Sequence, residues 1–398
     1  MLDCYPNTRH LMQHQQPEQP LYLFHKQLLE QSIDQFQQGF PGLLTYAVKA
    51  NPSAMVIKAM LRHGVEAYDV ASVAEIKLVQ NLAKSLDKTV TLHYHNPIKS
   101  ESAIAEAWHQ CGVRSFALDD EFELAKLLKQ IPDPASTELS VRFVAPVKHE
   151  VILDLNSKFG ASVNGAIKLL RKVHAAGFKA SLTFHPGTQC TQTQAYVDFI
   201  ACAADIAKHA QVTLHRLNVG GGFPASYVKS FGPELAQYFA AIKTAVNTYF
   251  DVPPALVCEP GRSLVNDSVS LLLKVLHRRE NGSLFLNDGV YGGLLEMKVV
   301  DLGWPMLCWR QGQLIDGERV PFKVFGPTCD SIDVLPTPMY LPKQIQDGDY
   351  IEVPLMGAYS SASATQFNGF LSDAYVQVKV SSYCSIQQAS SLPLVAGL

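Results

Sequence analysis

Thr45-Tyr46-Ala47-Val48-Lys49-Ala50-Asn51 is the segment around which the rest of the chain is organised. The apolar run that begins at Leu43 and ends at Val48 predicts a buried strand. Such a strand cannot easily bury an ammonium group, so Lys49 at its end either extends to solvent or takes part in chemistry. The residues that follow along the chain decide between these two interpretations.

The composition is that of a globular protein long enough for two domains, with 398 residues of which 47% are hydrophobic and 17% charged. A net charge of −3 gives no reason to expect nucleic acid or an anionic membrane as a partner. The first 19 residues lack an apolar signal core, and no stretch reaches the roughly 18 apolar residues of a membrane span. We therefore expect no membrane segment.

Eight cysteines are scattered along the chain without a CxxC pair or a regular spacing. This arrangement predicts neither a zinc site nor a disulfide framework, and it favours reduced thiols. We expect a cytoplasmic protein without a bound metal.

Strand-like and helix-like segments alternate after residue 40. Eight strands connected by helices over about 220 residues are typical of a parallel (β/α)8 barrel of the TIM type, and eight units favour closure over an open doubly wound sheet. The predicted strands are 43–48, 66–70, 90–94, 114–118, 139–144, 180–184, 213–219 and 255–258. The predicted helices are 25–38, 54–62, 73–83, 103–110, 121–129, 163–175, 194–208 and 233–249.

Polar residues and glycines punctuate the carboxyl ends of these strands, which is the rim where a barrel of this kind carries its active site. Each has a structural explanation by itself, such as a helix cap for Asp69, a core histidine for His185 or a turn residue for Glu259. Their recurrence at one rim instead predicts a shared site. The set is Lys49, Asp69, Asn96, Arg142, His185, Gly220-Gly221-Gly222 and Glu259.

The pattern changes beyond Glu259, where short strand-like segments are separated by glycine and proline turns. We predict an all-β domain, a β-sandwich or β-barrel, formed by residues 1–24 together with 261–398, and a barrel domain over residues 25–260. The predicted strands of the second domain are 21–24, 271–275, 283–286, 306–309, 323–325, 350–353 and 375–380.

Two glycine segments at the rim could bind a phosphate. Three consecutive glycines at 220–222 leave backbone N–H groups able to form an anion-binding nest, although a tight turn is the simpler explanation of such a run. Glu259-Pro260-Gly261-Arg262 adds a further glycine and a guanidinium. The dinucleotide GxGxxG and P-loop patterns are absent. A strand-end lysine, a phosphate cradle and a carboxylate in one pocket suggest pyridoxal phosphate.

The chain resembles the fold-type III pyridoxal-phosphate decarboxylases of basic amino acids, the family of ornithine decarboxylase. The resemblance covers roughly residues 20 to 380 in the family's order. Its motifs are Tyr46-Ala47-Val48-Lys49-Ala50-Asn51, Tyr68-Asp69-Val70-Ala71-Ser72, Lys158-Phe159-Gly160, His185-Pro186-Gly187-Thr188, Gly220-Gly221-Gly222-Phe223-Pro224, Glu259-Pro260-Gly261-Arg262, Asp288-Gly289-Val290-Tyr291-Gly292, Gly326-Pro327-Thr328-Cys329-Asp330-Ser331, Met356-Gly357-Ala358-Tyr359 and Phe367-Asn368-Gly369-Phe370.

The resemblance implies a role for each rim residue. Lys49 would hold the cofactor covalently, His185 would stack on its ring, and Glu259 would pair with the ring nitrogen. Alanine racemases place an arginine against that nitrogen, so Glu259 favours decarboxylation. Asp69 and Arg142 would position Lys49 and the ring. The implied phosphate ligands are Thr188, Gly220, Gly221, Gly222, Gly261, Arg262 and Tyr359.

The resemblance also implies a homodimer whose two active sites are shared between subunits. Cys329 would return a proton to the substrate Cα, although a small buried hydrophobe is the plain interpretation of a free cysteine. Asp330 would meet the distal ammonium of the substrate, and Phe367 would line the substrate site.

Substrate choice is less determined by the motifs. In the related diaminopimelate decarboxylases a Cys-Glu pair and an arginine after the Asp288 motif are usual. This chain has Cys329-Asp330 and no arginine between Tyr291 and Trp304, so the resemblance implies a substrate with one carboxylate and a terminal amine, ornithine or lysine, and a diamine such as putrescine as product. The Tyr-Asp pair common in ornithine decarboxylases is replaced here by Val299-Val300-Asp301, with Glu296 nearby. This leaves open a larger amine of a specialised pathway such as siderophore assembly.

Two other classes of protein compete with a decarboxylase. Glu259 and the Cys329 motif disfavour a fold-type III racemase. An inactive regulatory protein of the antizyme-inhibitor kind could lose Lys49 or Cys329, yet both are present.

Overall fold

The computed structural model describes residues 4–147, 149, 152 and 157–389. The described chain divides into two compact units. We call the residues within 33–224 and 232–263 the barrel unit, and those within 1–32, 225–231 and 264–398 the sheet unit. The domain bounds 25–260 and 1–24 with 261–398 stay a prediction, and 1–3 and 390–398 lie outside the described residues.

The chain opens with short elements. They are β1 (Cys4–Tyr5), α1 (Thr8–His14), β2 (Leu21–Phe24) and α2 (Lys26–Gly39). Neither β1 nor α1 was predicted. The Asn7 side chain caps α1 by accepting a hydrogen bond from the His10 backbone N–H.

The barrel unit contains a closed barrel of eight parallel strands, which confirms the predicted (β/α)8 architecture. The strands are β3 (Leu43–Ala47), β4 (Ala67–Val70), β5 (Thr91–Tyr94), β6 (Ser115–Leu118), β7 (Glu138–Arg142), β8 (Lys179–Thr183), β9 (Arg216–Asn218) and β10 (Ala255–Cys258). They lie in sequence order, and β10 closes the barrel against β3. The predicted strand at 213–219 is the one most shortened at both ends.

Helices connect these strands. They are α3 (Ala54–Arg62), α4 (Val73–Lys84), α5 (Glu101–Ala105), α6 (Glu121–Gln130), α7 (Val163–Ala175), α8 (Thr193–Ala210) and α9 (Leu235–Tyr249). Short polar side chains begin most of them, as the Ser72 hydroxyl does at α4 by accepting from the Glu75 backbone N–H. The predicted helix 103–110 is instead α5 followed by a π-helical turn at Glu106–Gln110.

The sheet unit contains a ten-stranded mixed sheet. Beyond the barrel the chain forms α10 (Arg262–Val265), β11 (Val269–Arg278), β12 (Ser283–Leu286), α11 (Leu295–Val299), β13 (Leu307–Arg310), β14 (Gln313–Leu314), β15 (Arg319–Phe325), β16 (Met339–Pro342), β17 (Tyr350–Val353), β18 (Tyr375–Val378) and α12 (Ser382–Ala389). The main strand order is β1-β18-β2-β11-β12-β15-β16, and β17 pairs with β11 and β13.

The predicted strands of this unit are confirmed, whereas β14, β16 and the short helices α1, α11 and α12 were not predicted. Strand β16 pairs with β15 alone and ends on Pro342. Proline is tolerated at such an edge because no neighbouring strand needs the N–H that it lacks. In the sequence, however, a proline argues against a strand, so β16 was not predicted. An apolar cluster lies around Leu23, Leu272 and Trp309. In the described chain we find no helix with the length and hydropathy that a membrane span requires.

Candidate active site

The first rim segment places Lys49 beside Asp69. Strand β3 ends at Ala47, and Lys49 lies exposed on the 3-10 turn Val48–Ala50 that follows. The register of β3 and β4 pairs Ala47 with Asp69, whose side chain is buried. Tyr46 stabilises this turn because its hydroxyl donates to the Asn51 carbonyl at 3.0 Å.

Glu259 follows β10 and is held by one donor at the end of the neighbouring strand β9 and by another just beyond β5. Its Oε1 accepts a hydrogen bond of 2.6 Å from His95 Nδ1 and one of 2.5 Å from Asn218 Nδ2. Burial alone would raise the pKa of Glu259, but the charge and hydrogen bond of His95, together with the Asn218 amide, lower it. Glu259 is therefore a carboxylate whose side chain is only 12% exposed and that stays ionised.

Asp69 shows the opposite shift. Burial raises its pKa, the negative charge of Glu259 raises it further, and the positive charge of Lys49 opposes both effects. Of two carboxyl groups that share one pocket, Glu259 keeps the charge and Asp69 retains a proton more readily.

His185 is a neutral ring at this rim. Its Nδ1 accepts a hydrogen bond of 3.1 Å from the Gly187 backbone N–H, so the proton of the neutral ring lies on Nε2. Burial, followed by the positive charges of Arg142 and Lys49, lowers the pKa of His185 to about 3. A neutral imidazole suits a stacking role, because it adds no positive charge beside a cationic pyridine ring.

Arg142 ends β7, with its guanidinium carbon 5.4 Å from the centre of the Phe159 ring. The Gly160 backbone N–H beside that ring donates to Asp119 Oδ2 at 2.7 Å. Thr188 is half-buried in the loop after His185, and its carbonyl accepts from the Ile152 backbone N–H at 3.2 Å. Both residues lie in the barrel unit with Lys49 and Glu259.

The glycine run 220–222 has no room for side chains. A Cβ on Gly221 would lie 2.7 Å from the Glu259 carbonyl oxygen, and one on Gly222, where φ is +88°, would meet the Gly187 carbonyl oxygen. One part of the predicted nest is corrected, because the Gly220 N–H donates to Asn218 Oδ1 at 2.8 Å. No described residue accepts a hydrogen bond from the amides of Gly221 or Gly222.

Gly261 lies between the barrel end and α10 in tight packing. A Cβ at this position would lie 2.9 Å from Cβ of Ala50, next to Lys49. Arg262, the first residue of α10, is only 6% exposed. The glycine segments at 220–222 and 261 thus both bring bare backbone to the rim that carries Lys49.

A second set of predicted residues lies in the sheet unit. Cys329 is exposed, and its backbone N–H and Sγ donate to Asn368 Oδ1 at 3.2 and 3.3 Å. Asp330 Oδ2 accepts from the Tyr291 hydroxyl at 2.6 Å. The Tyr291 ring lies 4.5 Å from that of Phe367, measured between centroids, and Phe367 is 40% exposed. The structure therefore brings Cys329, Asp330, Tyr291 and Phe367 into one partly exposed cluster.

Tyr359 also lies in the sheet unit, half-buried, with φ at +57°. A non-glycine residue in this conformation stores strain, which is frequent at functional sites. The predicted site residues thus fall into two sets, one in each unit.

Asp301 and Lys298, two charged residues considered for substrate recognition, each contact other residues of the sheet unit. Asp301 Oδ2 lies 2.7 Å from Lys229 Nζ and belongs to the lining of a 460 Å³ cavity in the sheet unit. Lys298 donates to the Ile332 carbonyl at 2.8 Å. Asp301 is thus neutralised by an ion pair.

Asp333 was missed by the sequence analysis, although it lies three residues beyond Asp330. Its carboxylate accepts from the Val290 backbone N–H at 2.9 Å and from the Thr328 hydroxyl at 2.7 Å. It therefore joins the segments that carry Tyr291 and Cys329. The pattern Cys-Asp-Ser-Ile-Asp could have suggested it, because a second buried acid in a motif loop needs partners.

His95 and Asn218 were also missed. His93 and His95 alternate with apolar residues along and just beyond β5, so both could have been predicted to face the barrel interior. His93, His95 and Glu259 bring potential metal-ligand atoms within 4.8 Å of one another. The 2.6 Å hydrogen bond between His95 and Glu259 accounts for two of these atoms without a metal.

Comparison with known proteins identifies the family. A family model described as "pyridoxal-dependent decarboxylase, pyridoxal binding domain" matches residues 26–266. The lysine/ornithine decarboxylase of Selenomonas ruminantium is 32% identical over 332 residues, covering 82% of this chain and 80% of that protein.

Solved structures agree with this assignment. The lysine/ornithine decarboxylase from Vibrio vulnificus, in complex with putrescine, has a TM-score of 0.79 and 27% identity, over 93% of this chain and 98% of that one. The arginine decarboxylase of Paramecium bursaria Chlorella virus has a TM-score of 0.78 and 26% identity, over 90% and 96%. The rim geometry and these matches together lead to one conclusion: the chain belongs to the pyridoxal-phosphate-dependent decarboxylases of the ornithine/arginine decarboxylase family.

Proposed function

We propose that this chain removes the α-carboxyl group of L-ornithine or L-lysine, with pyridoxal phosphate as cofactor, to give carbon dioxide and putrescine or cadaverine. The observation that carries the proposal is the largely enclosed, ionised Glu259 on the rim that also bears Lys49 and His185. The names of the relatives support the same substrate class.

The barrel residues fit pyridoxal phosphate. Lys49 is exposed and would hold the cofactor covalently, and the amides of Gly221 and Gly222 with Gly261 and Arg262 would bind its phosphate. When bound, the cofactor supplies an electron sink for the carbanion left by carbon dioxide. Glu259 Oε1 is engaged by His95 and Asn218, which leaves Oε2 for the ring nitrogen.

The chain's own groups support this chemistry by controlling charge and protons. Glu259 would keep the ring nitrogen protonated, and neutral His185 would cover the ring face. The raised pKa of Asp69 beside Lys49 reduces the negative charge that Asp69 adds to that of Glu259. Gly220 would act through packing, since its N–H is committed to Asn218. Arg142, Thr188 and Tyr359 complete the proposed cofactor site.

We further propose that Cys329 donates the proton to the substrate Cα and that Asp330, oriented by Tyr291, binds the distal ammonium. Hydrogen bonds from the Ile332 backbone N–H and the Tyr291 hydroxyl lower the pKa of Asp330, so it carries the charge that an ammonium requires. Phe367 would pack on the aliphatic part of the substrate.

These residues are exposed, and we propose that a second copy of the chain covers them in a homodimer with shared sites. Apolar side chains around Cys329 support this arrangement: Ile332 is 53% exposed, and Phe370 and Leu371 are 40% and 39% exposed. Such a surface, next to a thiol and a carboxylate, suits a protein partner better than water. We expect the dimer in the cytoplasm, where its thiols stay reduced.

A mixing experiment tests the shared site. Lys49→Ala and Cys329→Ala should each lack decarboxylation when pure, the first because it cannot hold the cofactor and the second because it lacks the proton donor. In a refolded equimolar mixture, half of the dimers are mixed, and each regains one intact site. The mixture should therefore reach about a quarter of wild-type activity. No recovery in a mixture shown by mass to contain heterodimers would contradict shared sites.

The substrate is tested by carbon dioxide release from L-ornithine, L-lysine, L-arginine and meso-diaminopimelate. We expect release with ornithine or lysine and at least about tenfold less with the other two, because Asp330 offers one charge to one ammonium. Asp330→Asn should raise KM for the diamino acids, while the matched surface variant Asp316→Asn should not.

A larger amine substrate is the second candidate, favoured by the pairing of Asp301 with Lys229. This candidate predicts that the protein binds the cofactor but releases carbon dioxide from none of the four amino acids. Racemisation of an amino acid would instead support a racemase. A purified protein that binds no cofactor would support the inactive regulator.

A further inference from the structure

A chain of buried hydrogen bonds runs behind Glu259 through the barrel. His95 Nδ1 contacts Glu259 Oε1 at 2.6 Å, and His95 Nε2 contacts Ser115 Oγ at 3.0 Å. Ser115 Oγ in turn donates to Glu138 Oε2 at 3.0 Å. The chain connects the carboxyl end of β10 with the amino end of β7, where Glu138 lies.

The hydrogen-bond donors along this chain can be assigned. The Ser181 hydroxyl accepts from the Arg216 backbone N–H at 3.1 Å, so it donates to Glu138 Oε1 at 2.6 Å. The Arg216 guanidinium lies 3.4 Å from Glu138 Oε2. Two hydroxyl donors and this guanidinium face Glu138, which is therefore an ionised acceptor. Ser115 must use its single proton on Glu138.

This commitment fixes the state of His95. Ser115 can only accept from His95 Nε2, and ionised Glu259 can only accept from Nδ1. The Asn218 amide does not alter the protonation of His95. Its Oδ1 accepts from the Gly220 N–H and its Nδ2 donates to Glu259. Nδ2 also lies 3.2 Å from His95 Nδ1, but both of these nitrogens are donors. Both ring nitrogens of His95 therefore donate.

We propose that His95 is a positioning residue, held as an imidazolium between Glu259 and Ser115, that keeps Glu259 ionised and reserves its Oε2 for the cofactor. Charges then alternate through the barrel: Glu259 negative, His95 positive, Glu138 negative and Arg216 positive. The part concerning the cofactor rests on the proposed role of Glu259, whereas the protonation of His95 does not.

The groups around His95 agree with this assignment. Asp69 on β4 and Glu138 on β7 add their negative fields to that of Glu259, and together they raise the pKa of His95 against the effect of burial. His93, on the same strand, is buried with its ring 5.1 Å from that of His95, and no described residue hydrogen-bonds to it. Burial and the His95 charge lower the pKa of His93 to about 4, so it is neutral.

The test on the protein alone is a nitrogen-15 spectrum of the histidine rings in the full-length, cofactor-free chain. One histidine should keep both ring nitrogens protonated at about pH 7.5, where an ordinary imidazole has lost a proton. Its signal should vanish in His95→Gln. If that variant does not fold, Ser115→Ala identifies the signal by shifting its Nε2 resonance. A neutral His95 at about pH 7, or a stoichiometric metal in the purified protein, would overturn the proposal.

The second test measures the dissociation constant of pyridoxal phosphate against pH. In His95→Gln, Glu259 loses the adjacent charge, so affinity should fall about tenfold more than in wild type between about pH 8 and pH 6. His93→Phe is the matched control from the same strand and should keep the wild-type profile. An equal loss at every pH would reveal a merely structural role and contradict the proposal. Failure of the wild type to bind the cofactor would instead contradict the proposed function.

Discussion

Glu259 in the barrel unit is largely enclosed and Glu352 in the sheet unit is fully buried, yet the acidities of these two glutamates differ. The pKa of Glu259 is lowered, whereas burial raises the pKa of Glu352 to about 7. Glu352 lies on β17 and accepts a hydrogen bond of 3.1 Å from Trp309 Nε1. The Thr8, Ser270 and Ser382 hydroxyls around it lower its pKa by less than burial raises it.

The difference lies in the donors. Glu259 has a histidine that is itself supported by a second carboxylate, while Glu352 has only neutral donors. Neutral hydrogen bonds offset part of the desolvation of a carboxylate, but an adjacent opposite charge is needed to keep it ionised in an apolar environment. Burial of an acid therefore does not by itself mark an active site.

The largest expected effect comes from Glu259→Gln. An amide is neutral and cannot keep a ring nitrogen protonated, so kcat for carbon dioxide release should fall about 10²–10³-fold at saturating cofactor. Glu352→Gln serves as the matched control, because it makes the same change in the other unit and should keep the wild-type kcat. Similar losses in both variants would mean that the two acids do not differ in function.

Glu352→Gln should instead change stability, and in a pH-dependent way. The pKa of Glu352 is about 7 in the folded protein, against an ordinary value of 4.5. Between these two pH values the folded protein binds one proton that the unfolded chain has lost. The free energy of unfolding therefore falls as pH rises through this window. The variant should match wild type near pH 4.5 and exceed it by up to about 3 kcal/mol at pH 8. Calorimetric unfolding at both pH values measures this. A stability difference that does not depend on pH would show that Glu352 does not titrate in the window.

Trp309→Phe should give the smallest effect. It removes the indole N–H that donates to Glu352 while keeping most of the apolar contact, so the unfolding free energy should fall by about 1 kcal/mol. The loss should be larger at pH 8 than near pH 5, because a charged acceptor makes the stronger hydrogen bond. Urea unfolding of the variant, alone and combined with Glu352→Gln, checks this. A loss of equal size at both pH values in the Glu352 background would assign the effect to packing.

Much of the fold follows from periodicity and turn residues. The helices Ala54–Arg62 and Val163–Ala175 and the strand Ala255–Cys258 have the predicted bounds, because each is a strongly patterned segment with a cap, glycine or proline beside it. The motifs also predicted that Lys49, Asp69, His185 and Glu259 would share one barrel rim, and they do.

The rest depended on contacts between distant residues. The pairing of Asp301 with Lys229 and the support of Glu259 by His95 cannot be deduced from local patterns. Each joins residues whose proximity arises only when the sheet closes or a loop folds back. The edge strand Met339–Pro342 was not predicted for a different reason: its last residue is a proline, which is unusual within a strand.

The position of β2 in its sheet has a consequence for the order of folding. Phe24 pairs with Val269 and Tyr22 with Tyr375, so this early strand lies between two strands that are synthesised after the barrel. Its backbone therefore has no sheet partner while the ribosome produces the barrel, whose neighbouring strands pair in order along the chain. Contacts of such long range form slowly and leave an exposed edge in the meantime. During translation, the barrel can close first, and the Leu21–Phe24 segment keeps unpaired backbone groups until the last strand emerges.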